Sequence, residues 1–456
     1  MNLTREQSIA LLNDRHISVT ANAGSGKTSV LVEKYIDILV KSKRNPSDSI
    51  RSIVALTFTR QAAADMKVKI IKKINMMIQS DLGKNLLKFK KLREYISSAK
   101  VSTIHSFCNS LLRDYPIEAG ISPLFREMDE FESKTISSFV IETEFERLAE
   151  LLINEDNDEL IDENARDFDQ LIRVLPINTL REYISELIKE PVNLGNINQF
   201  YSKTDTEIIN FFENQFITSF FDELGKFLDD LMQIYSVDGD YKNLEKARNS
   251  LNEIKLEAQN KEKSSINSIL DKLTYLRTIK ESKPYLLNKI AKDYPNMPDI
   301  AESLKEFIKK SELTFFGLNY TKEFIDTSRK FIALVNRINE KFWEEKHELS
   351  AYSFDDLLIL TNNLLENNEV RDKILKDIDF LLVDEFQDTN QIQYDLISKL
   401  CPNLFTDNTG SASPKLFIVG DAKQSIYGFR SADVSVFLQA EEDIKTRTES
   451  YSIMVN

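Results

Sequence analysis

Residues 21–28 read Ala-Asn-Ala-Gly-Ser-Gly-Lys-Thr, and residues 384–388 read Asp-Glu-Phe-Gln-Asp. The residue types of the first segment suit a phosphate cradle. Gly24 and Gly26 let the backbone approach phosphate oxygens, and the start of a following helix aims N–H groups at them. Lys27 is placed to reach the β- and γ-phosphates, and the Thr28 hydroxyl to bind Mg2+. Ala21, Asn22, Ala23 and Ser25 make up the rest of the loop, with Ala21 standing where the strict pattern has glycine. In the second segment Asp384 would hold Mg2+, directly or through water. Glu385 would orient and deprotonate an attacking water. A solvated acidic turn is the competing reading of an isolated Asp-Glu pair, but a phosphate loop in the same chain favours chemistry. The two segments are far apart in sequence, so triphosphate chemistry requires a fold that brings distant strands side by side.

Three further stretches begin at strand ends. Residues 420–430 read Gly-Asp-Ala-Lys-Gln-Ser-Ile-Tyr-Gly-Phe-Arg. Gln424 there suits a γ-phosphate sensor, and Tyr427 and Phe429 offer flat faces to bases; an ordinary loop with core aromatics reads equally well. Thr57-Phe58-Thr59-Arg60 and the run Ser102–Phe107 carry hydroxyls and aromatics. Hydroxyls such as Thr59, Thr103 and Ser106 at such turns suit a phosphodiester backbone, and Phe58 suits stacking on a base. His105, taken alone, reads as a satisfied, partly buried histidine. The segment Lys67–Lys100 holds ten basic residues against two acids, a pattern that fits a solvated helix face as well as a phosphate-tracking surface.

Five short apolar runs must position these groups: Ile17–Thr20, Ile53–Phe58, Val101–Ile104, Phe380–Val383 and Leu416–Val419. Nearly continuous apolar character marks strands covered on both faces, as in a parallel sheet. After the first, the spacing of Val30, Leu31, Tyr35, Ile38 and Leu39 predicts a helix over Thr28–Val40. Strand, glycine turn and helix form the context a phosphate loop needs. Between about Phe125 and Ser350 glycine is sparse and Leu, Ile, Phe, Lys and Glu dominate, which predicts long amphipathic helices ended by Pro176, Pro191, Pro284, Pro295 and Pro298. The expected organisation is a nucleotide-binding α/β domain in two pieces, 1–124 and 351–456, with a helical domain inserted over 125–350.

Composition sets outer limits. The 456 residues suggest two or three compact units, and 42% apolar with 29% charged residues is ordinary for a globular protein. A net charge of −14 argues against a wholly basic surface but leaves room for a local basic groove. Glu155–Asp169 carries eight acids and one base, so that portion should face away from phosphates. Cys108 and Cys401 suggest neither a disulfide framework nor a zinc site. The polar N-terminus lacks a signal-peptide core, no run of about 18 apolar residues appears, and a reducing, cytoplasmic setting with no membrane partner is expected.

In this order the segments resemble the UvrD/Rep-type superfamily 1 DNA helicases, over residues 3–31, 53–70, 101–116 and 351–437. Asp-Glu-Phe-Gln-Asp-Thr-Asn over 384–390 and the 420–430 phrase are close to a family signature, and the family tolerates alanine at the position of Ala21. The wording of Thr103–Tyr115 and the length of the helical insertion are more similar to the AddA/RecB branch. The resemblance implies a RecA-like P-loop NTPase sheet flanked by helices, with ATP and Mg2+ as cofactors. It implies adenine reading by Gln7 and γ-phosphate sensing by Gln424. It implies contact with single-stranded DNA by Phe58, Thr59, Thr103, His105 and Ser106, and links between nucleotide and bases by Tyr427 and Phe429. It also implies 3′ to 5′ movement on single-stranded or partly duplex DNA in repair, recombination or defence.

Such helicases place ATP between two RecA-like lobes. The 456 residues close just past the third strand-end motif, so the second lobe, with its arginine fingers, is expected to be absent from this chain. Losing such a finger costs about 10³–10⁵ in turnover, unless Arg430 substitutes in cis. Two readings stay open at this point. The chain is the leading lobe of an ATP-dependent DNA helicase completed by a partner chain or further sequence, or it is a truncated module that binds nucleotide and DNA with little hydrolysis and no unwinding of its own. A metabolite kinase would leave Phe58, His105 and Tyr427 unexplained.

Overall fold

The structure is a computed structural model that describes residues 11–12, 16–21, 27–80, 85–153, 162–236, 241, 243–279, 286, 290, 300–317, 321–405, 413–421, 434–446 and 450–455. The chain forms two compact units, one from Met1–Ile136 and Phe342–Asn456 and the other from Ser137–Lys341.

The first unit is built on a six-stranded sheet of order β3-β2-β6-β7-β1-β8. The strands are β1 (His16–Ala21), β2 (Ile53–Thr57), β3 (Lys100–Thr103), β6 (Phe380–Val383), β7 (Lys415–Gly420) and β8 (Ser450–Val455). Every pairing is parallel, so each strand returns through a crossover and both faces are covered. Two residues of β4 (Arg126–Glu127) pair with two of β5 (Ala351–Tyr352) in a separate ribbon.

Period-two alternation divides the apolar residues between the faces. On one face Ile17, Val19, Ile53, Ala55, Val101, Leu382, Phe417 and Val419 pack with helices Lys27–Lys41, Arg60–Ser80 and Leu86–Tyr95. On the other, Val54, Leu56, Leu381, Val383, Leu416 and Ile418 pack with helices Ile104–Asp114, Phe354–Leu364, Gln391–Leu400 and Val434–Thr446. The helix after β1 thus covers the opposite face from those after its neighbour β7 and after β6. Such a reversal marks the carboxyl edge of an open α/β sheet as its ligand-binding edge.

The second unit is helical among its described residues, from Glu163–Val174 to Ile300–Gly317, with parts of helices Glu130–Ile153 and Thr321–Leu349. Its apolar centre includes Phe220, Leu224, Leu231, Leu251, Leu273 and Phe307. Glu144, 2% exposed, is matched by Arg147 at 2.8 Å and Arg337 at 2.9 Å. Pro176 stands at the N-cap of helix Ile177–Leu187, and Pro191 opens helix Pro191–Tyr201; Pro284, Pro295 and Pro298 lie outside the described residues. Of the acidic stretch, Asp162 caps the helix Glu163–Val174 by accepting from Asn164 and Ala165 N–H groups. Among the described residues no helix is long and apolar enough to cross a membrane.

Candidate nucleotide site at the carboxyl edge of the sheet

The helix Lys27–Lys41 buries Val30, Leu31, Tyr35, Ile38 and Leu39 in the same core as Ile17 and Val19 of β1. Lys27 is 8% exposed, and its Nζ donates to Glu385 Oε2 at 3.2 Å. Thr28, the next residue, is half-buried. The last paired residue of β1 is Ala21, opposite Val455. Gln7, Asn22, Ala23, Gly24, Ser25 and Gly26 lie outside the described residues, as do Gln424, Tyr427, Phe429 and Arg430.

Asp384 follows β6 and is held by its own N–H, which donates to Leu56 O at 2.9 Å. Its side chain is 4% exposed and accepts the Glu385 N–H at 3.1 Å. Burial, then the neighbouring Glu385 charge, pushes the Asp384 carboxyl up to about 6, against the opposing pull of Lys27 and Lys69. A carboxylate so placed is stabilised in its ionised form by an added cation. Among the described residues no group of three or more His, Cys, Asp or Glu is arranged to hold a metal. Mg2+ instead suits one carboxylate with water and substrate phosphates, so the donor set of Asp384 and Thr28 fits that ion.

Glu385 adopts φ 51°, ψ 45°. A left-handed backbone at a non-glycine residue costs about 1–2 kcal/mol, and such outliers persist where surrounding contacts over-determine them. Here Glu385 Oε2 accepts from Lys27 and also from Gln387 Nε2 at 2.8 Å. Gln387 Oε1 in turn accepts the Asp421 N–H at 2.9 Å, tying the end of β6 to the end of β7. Sequence reasoning singled out Asp384 and Glu385 but missed Gln387; the available signal was its place two residues on in the same phrase. Asp388 is also pushed up to about 6, by burial and then by Glu385.

β2 and β3 end in register, Thr57 opposite Thr103, which sets the two hydroxyl-bearing turns side by side. Part of their sequence has a local explanation. Thr59 Oγ1 accepts the Ala62 N–H at 3.0 Å and so caps helix Arg60–Ser80. Thr103 caps helix Ile104–Asp114, accepting from Ser106 N at 3.2 Å, with the two hydroxyls 2.9 Å apart. Phe58, His105 and Ser106 are half-buried. Burial holds His105 below the usual histidine range, Arg60 adding to this and Glu127 opposing it. His105 meets the ring of Phe354 edge-on at 5.3 Å, and Phe354 is 47% exposed. An exposed aromatic beside that turn was not singled out from sequence, because no local pattern links residue 354 to residue 105. Within the basic run, Lys73 pairs with Glu33, and Lys88 donates to the carbonyls of Val40 at 2.8 Å and Ser42 at 3.0 Å.

Known proteins resemble this chain along most of its length. The chain is 27% identical to an ATP-dependent helicase/nuclease subunit of Pediococcus pentosaceus, over 98% of this chain and 36% of that protein. It is also 27% identical to the proteins of the same name from Listeria welshimeri, over 97% of this chain and 36% of that protein, and Natranaerobius thermophilus, over 97% and 35%. The chain therefore spans little more than a third of the length of these curated relatives. The family described as UvrD/REP helicase N-terminal domain matches residues 1–445, which takes in both the phosphate-loop segment and the Asp384–Glu385 turn: this chain belongs to that family.

Proposed function

We propose that this chain is the N-terminal ATP-binding portion of an ATP-dependent DNA helicase that moves 3′ to 5′ on single-stranded DNA. The observation that carries the reading is the meeting of Lys27 with Glu385 beside buried Asp384, at the ligand-binding edge of a parallel sheet. In this reading Lys27 holds the β- and γ-phosphates, with Gln7 on adenine and the loop Ala21–Gly26 around the phosphates. Thr28 and Asp384 hold Mg2+, which neutralises charge on the transferred phosphoryl group. Glu385 positions and deprotonates the attacking water, and Gln424 senses the γ-phosphate.

The neighbouring turns form the DNA side. Phe58, His105 and the Phe354 ring that meets His105 offer aromatic faces, and Thr59, Thr103 and Ser106 offer polar groups to phosphates. Tyr427 and Phe429 link the two sides. The unit Ser137–Lys341 is a helical insertion between two pieces of one motor lobe. The names of the relatives, which are those of helicase/nuclease subunits, support this assignment. Titration with a fluorescent ADP analogue and Mg2+ tests it: saturable, Mg2+-dependent binding is expected, and no binding would overturn the reading.

A further inference from the structure

Leu56, Val383 and Ile418 form one row across β2, β6 and β7, and the next residue in that row, on β1, is Ser18. Three apolar residues are thus followed by a hydroxyl, although Ser18 is fully buried. Thr20, two residues on, shares its face. The reason lies on helix Val434–Thr446. Glu441 there is 8% exposed, and one of its oxygens, Oε1, accepts from Ser18 Oγ at 3.4 Å and also from Thr20 Oγ1. An apolar trio at these places would continue the packing of Val436, Phe437, Ala440 and Ile444 beside them. A buried carboxylate is costly to desolvate, and a satisfied buried polar network gains in return a single fixed geometry.

That geometry concerns the nucleotide site from two sides. β1 leads directly into the loop 21–28, and the helix Val434–Thr446 follows the segment that carries Gln424. The same helix presses Phe437 against Phe386, at 6.0 Å between ring centroids, and binds Tyr394 through Asp443. We infer that Glu441 is a positioning residue that sets the end of β1, and hence the phosphate loop, relative to the turn carrying Asp384 and Glu385. This inference rests on the nucleotide-binding reading above.

The test uses the full chain, a fluorescent ADP analogue with Mg2+, and thermal melting without nucleotide. Glu441→Gln keeps Oε1 as an acceptor and should bind within about threefold of the parent, a difference under 1 kcal/mol. Thr20→Val should weaken binding, and the apolar trio Ser18→Ala, Thr20→Val, Glu441→Leu should weaken it about 10- to 100-fold at an unchanged or higher melting temperature, the scale that an ångström of misplacement carries. Parent-like affinity in the trio would overturn the inference. So would loss of folding in every variant, which would assign the network to stability alone. Absence of binding by the parent chain would instead overturn the nucleotide reading itself.

Discussion

Lys27 and Glu385 meet at 3.2 Å although the strands that deliver them, β1 and β6, are not neighbours; β7 lies between them. Two strand spacings of about 4.8 Å must be bridged. The helix start at Lys27 and the left-handed turn at Glu385 bring the two side chains together over the end of β7. A triphosphate would compete with Glu385 for the Lys27 ammonium. In the proposed reading, substrate binding would then free Glu385 to act as the base.

Lys27→Ala removes the cation that this competition requires. Loss of one partner of a buried charged contact costs about 2–5 kcal/mol, so affinity for the Mg2+–nucleotide should fall at least about 30-fold. The melting temperature should change little, because Glu385 is partly solvated and retains Gln387. Nucleotide titration alongside thermal melting checks both, and unchanged affinity would remove Lys27 from its role.

Much of this arrangement is legible in the sequence because parallel strands announce themselves. Ile53–Phe58 and Phe380–Val383 are continuous apolar runs, and they emerge as β2 and β6. β8, Ser450–Val455, escaped notice because it lies at the sheet edge, where polar residues such as Ser450 and Ser452 interrupt the run. β4 and β5 contain two residues each, too few for any period to register. The partnerships of Gln387 with Asp421 and of Glu441 with Thr20 depend on sheet order and register, which no local pattern encodes. Thr59 and Thr103 show the converse limit: a hydroxyl at a strand end suits a phosphate, and it equally suits a helix cap.

Glu385→Gln separates binding from chemistry. The amide keeps an oxygen that can accept from Lys27, but it cannot take a proton from water. Nucleotide affinity should therefore be retained, while any ATP hydrolysis, measured as phosphate release, should fall about 10²–10⁴-fold, the range for a positioned general base. Undiminished hydrolysis would reassign the base.

Gly420 closes β7 where two side chains crowd its backbone. A Cβ there would stand 2.9 Å from the ring of Phe437 and 3.0 Å from Gln387 Oε1. Neither neighbour is free to retreat, since Phe437 is fully buried and Gln387 is bonded to Asp421 and Glu385. Gly420→Ala should destabilise by about 1–3 kcal/mol, as overpacking does, and should weaken nucleotide binding by displacing Gln387. Thermal melting gives the first effect and titration the second. An alanine variant with parent-like stability and affinity would show that this end of the sheet yields readily.

Asp388 supplies a prediction in pH. It is 7% exposed, its Oδ1 has no hydrogen-bond partner among the described residues, and its carboxyl is pushed up to about 6 by burial and by Glu385. In the unfolded chain the group returns to about 3.9. Between those values the native state holds the proton more tightly than the unfolded chain. Stability from this group is therefore greatest below about 4 and declines as pH rises through about 6. Asp388→Asn removes that decline. The variant's melting temperature relative to the parent should rise between pH 4.5 and pH 7.5, by the equivalent of about 1 kcal/mol once partial solvent screening is allowed for. Any constant offset from the amide itself cancels in this comparison. Parallel melting curves for parent and variant across that range would mean that Asp388 titrates normally in the folded protein, and that the Glu385 turn is better solvated than its geometry implies.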